Sequence, residues 1–352
     1  MRETLTSSPE LFSDISWNLL LLGEETAKKW DHSEFNIEHI IHTLFTSSEF
    51  FAFIEKLSID QEIVLDITED FLEETPIHDS DIFTIGEELE ILLDNANQIK
   101  TQWGSNLIEF PHLLIALGRD SRIGNYVFQE GDLSVEQLEE ELRFVNKVKE
   151  VVSRGGLTIV PAFASGRGQD ILRLLHKHAP HLNVHYDGMG KRVTRHWMNH
   201  PEFIYNSHEW EKIWSWVRKV GSKSDRKKAL SADVIVTTSG MLKGGPVLWY
   251  LNRVHSDPNS AVLITGYQAE DTGGRMLLET GKIPIYGDIV EVNCEVDKFQ
   301  LSNHAGHSAL VDFARKTNAK DVILFHLPED SIQPLKEAIE KNERIKFTSF
   351  FS

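Results

Sequence analysis

Gly155-Gly156-Leu157-Thr158-Ile159-Val160-Pro161-Ala162-Phe163-Ala164-Ser165-Gly166-Arg167 begins with an apolar run and ends in a small-residue turn. The run Leu157–Val160 predicts a buried strand, and Gly166-Arg167-Gly168 leads into a helix over 169–177. The same rhythm continues downstream. Strands are expected at Leu182–Tyr186, ending at Asp187-Gly188; at Asp233–Thr237, before Ser239-Gly240; and at Ala261–Ile264, ahead of Thr272-Gly273-Gly274. Strands that alternate with helices make an α/β sheet, and glycines and small polar residues after the strand ends are where such sheets hold ligands. Beyond Ile285 the pattern predicts a β-hairpin, a helix over 307–318, a strand Val322–Phe325, a helix Ile332–Lys341 and a last strand Ile345–Phe350.

Upstream of this stretch the period is helical: Ile15, Leu19 and Leu22 share a face, as do Ile40, Ile41 and Leu44. The pattern is doubled. Phe12-Ser13-Asp14-Ile15 matches Phe83-Thr84-Ile85-Gly86, and Glu38-His39-Ile40-Ile41 is echoed by Pro111-His112-Leu113-Leu114. A spacing of about 70 residues exceeds solenoid units and implies two pseudo-symmetric halves of one domain.

Charge divides the chain in the same place. The net charge is −18, yet residues 1–150 hold 10 Lys/Arg against 32 Asp/Glu and the rest hold 26 against 22. Nucleic acid would be repelled by the first part, so only the second is a candidate binder. No apolar run reaches membrane-spanning length, and Met1-Arg2-Glu3-Thr4 lacks the basic-then-apolar order of a secretory leader. Cys294 is the single cysteine, which excludes an intrachain disulfide and any Cys-based zinc cluster and suits a reducing cytoplasm. We therefore expect a cytoplasmic, multidomain chain, with no membrane partner.

The doubled Phe-Ser/Thr and His-Leu-Leu pattern over roughly 10–148 resembles the double Clp N-terminal repeat of the AAA+ unfoldases, closest to the disaggregase branch. That resemblance implies an all-α domain, 1–148, that docks a protein partner or adaptor. No GxxxxGK[ST] motif follows it, so the motor of those proteins is not present in this sequence. His39 and His112 are read as helix residues satisfied by a backbone carbonyl, not as metal ligands, because no second ligand recurs beside them in both copies.

From 149 to 352 five blocks stand in order: Gly155–Arg167; Asp187-Gly188-Met189; Thr238-Ser239-Gly240-Met241-Leu242-Lys243-Gly244-Gly245-Pro246; Gly266-Tyr267-Gln268-Ala269-Glu270-Asp271-Thr272-Gly273-Gly274-Arg275; and Leu301-Ser302-Asn303-His304-Ala305-Gly306-His307. They resemble the β-CASP branch of the metallo-β-lactamase nucleases, closest to the archaeal relatives of the cleavage and polyadenylation specificity factor and to RNase J-like enzymes. The fold implied is an α/β β-CASP domain with a partial metallo-β-lactamase segment at its C-terminal end. The resemblance implies RNA-backbone contacts from Arg167, Lys191, Arg192, Ser239, Lys243, Arg275 and Ser302. It also implies a two-zinc site, whose ligands come mostly from a His-x-His-x-Asp-His loop upstream. No such loop occurs in this sequence; His304 matches the last ligand alone, and Met276 stands where some relatives carry a catalytic histidine.

The expectation is a non-catalytic or incomplete nuclease relative, a pseudoenzyme that binds RNA or a partner and holds no cofactor by itself. The alternative is a split ribonuclease in which another chain supplies the zinc loop and His304 becomes catalytic; a third is a truncated or joined chain. His304, His307 and His326 form at most a partial site without an upstream carboxylate, and His176, His178, His181 and His185 read as solvated residues that helix and strand keep apart. The run Arg218, Lys219, Lys223, Arg226, Lys227 and Lys228 after Trp214 and Trp216 reads first as a solvated helix face and second as a phosphate-tracking surface. In the family, the segment from Asp288 completes a sandwich with strands that this sequence lacks. An oligomer burying 288–352 is therefore expected to cover strands Ile289–Val296, Val322–Phe325 and Ile345–Phe350.

Overall fold

The computed structural model describes residues 5–75, 77, 83–301, 307–317, 319, 321–325, 327, 329–340 and 346–349. They fall into two compact units, Met1–Leu301 and Ser302–Ser352.

The first unit opens with helices α1 (Asp14–Lys29), α2 (Ile37–Thr46), α3 (Phe51–Ile54), α4 (Gln61–Glu74), α5 (Glu87–Gln102), α6 (Phe110–Arg119), α7 (Gly124–Glu130) and α8 (Val135–Ser153). Two short strands, β1 (Glu34–Phe35) and β2 (Thr84–Ile85), pair in parallel between the repeats. Leu19, Ile40, Ile41 and Leu44 of the first copy and Leu92, Leu93, Leu113 and Leu114 of the second share one core. The doubled motif therefore builds a single hydrophobic centre.

The two repeat histidines hold the starts of α2 and α6. His39 Nδ1 accepts from the Asn36 N–H at 3.1 Å, and His112 Nδ1 accepts from the Glu109 N–H at 2.9 Å. Each stands at the third helical position of a capping box, the place usually taken by Glu or Gln. The ring nitrogen thus accepts from an amide rather than donating to a carbonyl, which corrects the sequence reading. Burial pushes both imidazoles down to about 4.

α8 is unbroken from Val135 to Ser153, and residue 148 lies within it. Val135 and Leu138 belong to the helical core; Phe144, Val145, Val148 and Val151 belong to the core of the sheet that follows. That sheet has six parallel strands in the order β10-β7-β3-β6-β4-β5. In chain order they are β3 (Thr158–Pro161), β4 (Val184–Asp187), β5 (Arg218–Lys219), β6 (Val234–Thr237), β7 (Ala261–Ile264) and β10 (Glu295–Lys298). Helices α9 (Arg167–His178), α10 (Gly190–Met198), α11 (Ser207–Trp216), α12 (Lys223–Ala229), α13 (Pro246–Val254) and α14 (Gly273–Thr280) join them. Side chains alternate between the faces, as the two-residue period of a strand requires. Val160, Val234, Val236 and Leu263 meet α8, α9 and α11, while Ile159, Ile235, Val262 and Ile264 meet α13 and α14.

The segment after Ile285 differs from expectation. β8 (Lys282–Ile285) and β9 (Asp288–Glu291) form an antiparallel hairpin, and β10 leaves it to pair in parallel with β7. The single strand expected over 289–296 is therefore two strands, both paired within the chain. Asn293 breaks the run: its N–H turns to the His255 carbonyl at 2.6 Å. This removes 288–298 from the proposed set of unpaired strands.

In the second unit α15 (His307–Lys316) and α16 (Glu329–Glu340) accompany the parallel pair β11 (Asp321–Leu324) and β12 (Lys346–Ser349). Val311, Ala314, Leu324, Leu335 and Ile339 make its small core.

The capping histidines give this fold a pH signature. Their folded-state pKa values lie below the usual 6.5, so the unfolded chain takes up protons that the native state refuses. Their contribution is complete above pH 6.5 and is lost as pH falls toward 4, at about 1.4 kcal/mol per pH unit for each ring. A His39→Gln, His112→Gln double variant keeps capping-box side chains that do not titrate. Denaturant unfolding from pH 6.5 to pH 5 should show a flatter stability slope for it than for the parent; equal slopes would refute the assignment.

Candidate nucleic-acid interface

The turns after β3, β4, β6 and β7 all leave the carboxyl edge of the sheet, and the helices they enter point their N-termini back to it. Direct bonds lace these turns together. The Met189 N–H donates to Thr238 Oγ1 at 3.1 Å, joining the β4 and β6 turns. Gln268 Nε2 donates to the Gly240 carbonyl at 2.9 Å, and the Gly274 N–H donates to the Met241 carbonyl at 3.1 Å, joining the β6 and β7 turns. The β3 turn is held by close approach. A Cβ at Gly240 would stand 2.9 Å from the Phe163 backbone nitrogen, so glycine is needed there. The Thr238–Ser239 peptide in this shelf is cis.

Two buried polar residues fix the shelf from below. Gln169, in the first turn of α9, is fully enclosed; its Nε2 donates to Thr194 Oγ1 at 2.8 Å and to the Ala164 carbonyl at 3.1 Å. Asp187, the last residue of β4, is 1% exposed and accepts from four donors. These are the Gly188 N–H at 2.6 Å, Arg226 Nε at 2.7 Å, the Tyr250 hydroxyl at 3.0 Å and Lys191 Nζ at 3.2 Å. Burial by itself would raise this carboxyl, but the Arg226 bond, the Gly188 amide and the charges of Arg226 and Lys191 outweigh it and hold the pKa below the usual range. Asp187 thereby ties α10, α12 and α13 to one strand end.

The residues singled out in the sequence divide accordingly. Arg192, Lys243 and Arg275 are exposed around the shelf, and Arg275 also meets Glu279 at 2.5 Å. Ser239 is half-buried and its Oγ accepts from the Lys243 N–H at 3.2 Å. Arg167 is half-buried in the first turn of α9, 3.6 Å from Asp170. Lys191 is engaged by Asp187 and the Val220 carbonyl. In the basic run, Arg226 is bound to Asp187, whereas Lys227 and Lys228 are exposed on α12. Ser302 and His304 lie outside the described residues, as does His326; His307 begins α15. His185 is buried in β4, and His178 ends α9.

Sequence reasoning missed Gln169, Gln268 and Tyr250, because a polar side chain in a helix or loop carries no mark of burial. The signal available was their neighbours: Gly168 and Gly274 leave room where a Cβ would strike Tyr186 or Gln268. Among the described residues no three His, Cys, Asp or Glu side chains converge to hold a metal ion. Those described donors do not fit a zinc pair.

With this geometry in view, the comparisons are specific. The Clp repeat (R) N-terminal domain family matches residues 11–130, the Beta-Casp domain family 169–277, and the Zn-dependent metallo-hydrolase RNA specificity domain family 289–348. The Probable RNase MJ4 of Methanocaldococcus jannaschii is 38% identical over 53% of this chain and 45% of its own. The chaperone protein ClpB 2 of Parasynechococcus marenigrum is 41% identical over 40% of this chain and 16% of its own. A transcription termination factor, FttA, of the same Methanocaldococcus is 29% identical over 66% of this chain and 40% of its own. The chain thus spans less than half the length of each of these relatives.

The Asp187 cluster is testable by stability. Asp187→Ala leaves Arg226 and Lys191 without their shared carboxylate and should cost about 3–5 kcal/mol in denaturant unfolding. A loss below about 1 kcal/mol would show that the cluster does not hold the shelf together.

Proposed function

Because this chain joins a Clp repeat domain to a Beta-Casp domain and an RNA specificity domain, we propose that it binds single-stranded RNA without cutting it and is directed by a protein partner on its helical part. The observation that carries this reading is the laced carboxyl edge, where Arg192, Lys243 and Arg275 are exposed around four helix N-termini. Backbone amides and helix dipoles at such an edge favour phosphate, and exposed cations add the long-range attraction. The charge division supports the same assignment, since the helical part repels what the sheet attracts. Relatives named as an RNase and a termination factor make RNA the favoured polyanion.

The helical part is proposed to take a protein adaptor, as a Clp-type docking platform. Any self-association is assigned to 302–352, where Phe313, Ile323 and Phe325 are exposed. A cytoplasmic location is proposed from cysteine usage, since the single Cys294 leaves no intrachain disulfide to form. Among the described residues no helix is long and apolar enough to cross a membrane.

A second reading keeps the catalytic chemistry. The block Leu301–His307 carries His304, so a partner bringing the His-x-His-x-Asp-His loop and zinc would complete a split ribonuclease. Metal analysis with an RNA-cleavage assay on the purified chain tests the first reading, and the same assay on the chain co-purified with a loop-bearing partner tests the second. The first reading expects no stoichiometric zinc and no cleavage; two zinc ions per chain with cleavage abolished by His304→Ala would overturn it.

RNA affinity should be modest and salt-sensitive. Three phosphate contacts give a slope of about −2 in log K against log salt, at roughly −0.7 per contact on single strands. Charge reversal at Lys243 and Arg275 should weaken binding more than reversal at Lys227 and Lys228. The opposite order would move the site to α12.

A further inference from the structure

Within the first unit a cavity of about 100 Å³ lies where the helical part meets the sheet part. Its walls come from both: Phe53, Lys56 and Leu57 around α3, Phe110 and Leu114 of α6, Leu142, Val145 and Lys149 of α8, and His178 at the end of α9. The floor is apolar, and the polar lining is Lys56 and His178, both half-buried, Lys149 at the exposed rim, Asn146 and Glu109. Among the described residues neither Lys56 nor Lys149 forms an ion pair, and Glu109, the one acid in the lining, is the N-cap residue of α6. His178 Nε2 is buried with no hydrogen-bond partner. A buried polar nitrogen left unpaired costs about 1–3 kcal/mol, so a ligand that pairs with it recovers that much.

The lining defines the chemistry of a ligand. Two ammonium groups and an unpaired imidazole nitrogen call for an anion, beside a helix start that the Glu109 carboxylate already caps. The apolar floor disfavours a fully hydrated ion such as phosphate, and the volume holds only about three waters at ~30 Å³ each. A carboxylate with a short branched alkyl tail satisfies both halves: oxygens to the bases, methyl groups to Phe53, Phe110, Leu114 and Val145.

We propose that this cavity binds a short aliphatic monocarboxylate, with Lys56 and Lys149 neutralising its charge and His178 Nε2 donating to one oxygen. Burial first, and then the nearby charges of Lys177, Lys56 and Lys149, push the imidazole down to about 3, so it meets a ligand as a neutral ring. Since the walls belong to both cores, the bound acid would tie the docking part to the RNA-binding part.

The test is calorimetric titration of the full chain at constant ionic strength with isobutyrate, isobutyramide and inorganic phosphate. Isobutyrate should bind saturably and raise the melting temperature, while isobutyramide and phosphate should not. Lys56→Gln should weaken binding by about tenfold, and Lys56→Gln with Lys149→Gln by more. The His178 imidazole resonance should titrate at higher pH when isobutyrate is present. Absent saturation, equal binding of the amide or of phosphate, or unchanged affinity in the lysine variants would each overturn the proposal. Lys56→Gln serves as the decisive variant if the double variant does not fold, because the melting curve of the single variant reports its integrity directly.

Discussion

Helix α8 is the constraint on which the first unit depends. One face of the six-stranded sheet is apolar and must be covered, and Phe144, Val145, Val148 and Val151 of this helix are part of the cover. Its earlier residues Val135 and Leu138 are at the same time bound into the helical core. The contact is reinforced along the edge strand. Arg143 meets Asp297 at 3.0 Å and stacks over the Phe299 ring at 3.9 Å, and Lys147 meets Glu295 at 2.9 Å. A helix buried at both ends cannot hinge in its middle without exposing apolar surface, at about 25 cal/mol for each Å². The helical and sheet parts are consequently one packed body rather than two beads on a linker.

At the other end of the sheet the ordering principle is polar. Gln169, Asp187 and Gln268 are enclosed side chains whose bonds run between different turns, the two glutamines through their amide nitrogens and Asp187 through its carboxylate, so the shelf is positioned by these bonds rather than by loop stiffness. This leaves Arg192 and Lys243 facing solvent on a fixed base, with Arg275 exposed beside its Glu279 partner. It also removes Lys191 and Arg226 from the set of cations available to a polyanion, since both hold Asp187.

Much of this was legible in the sequence for physical reasons. The doubled repeat and the alternation of apolar runs with glycine turns carry their own periods, and the strand Ala261–Ile264 is found at its expected bounds. The first four ordered blocks fall on the described turns after β3, β4, β6 and β7, while residues 302–306 of the fifth lie outside the described residues. What sequence could not show is direction and partnership. His39 and His112 accept from amides because they stand three residues after an N-cap, a geometry visible only once the helix start is known. Lys191 looked like an RNA contact by its position after Asp187-Gly188, yet the same one-turn spacing brings its ammonium back to that carboxylate. The break of 289–296 into β9 and β10 went unseen because Val290, Val292 and Val296 keep the period of one strand while packing on the same core.

The central claim is that RNA lies along the carboxyl edge of the sheet and not on the acidic helices or on α12. Photo-cross-linking of a short single-stranded oligoribonucleotide to the full chain, with adducts mapped by mass spectrometry, addresses it directly. The account predicts adducts in the turns over 162–166, 188–192, 238–245 and 266–275 and none over 5–133. Adducts concentrated on the helical part, or only on 218–228, would contradict it.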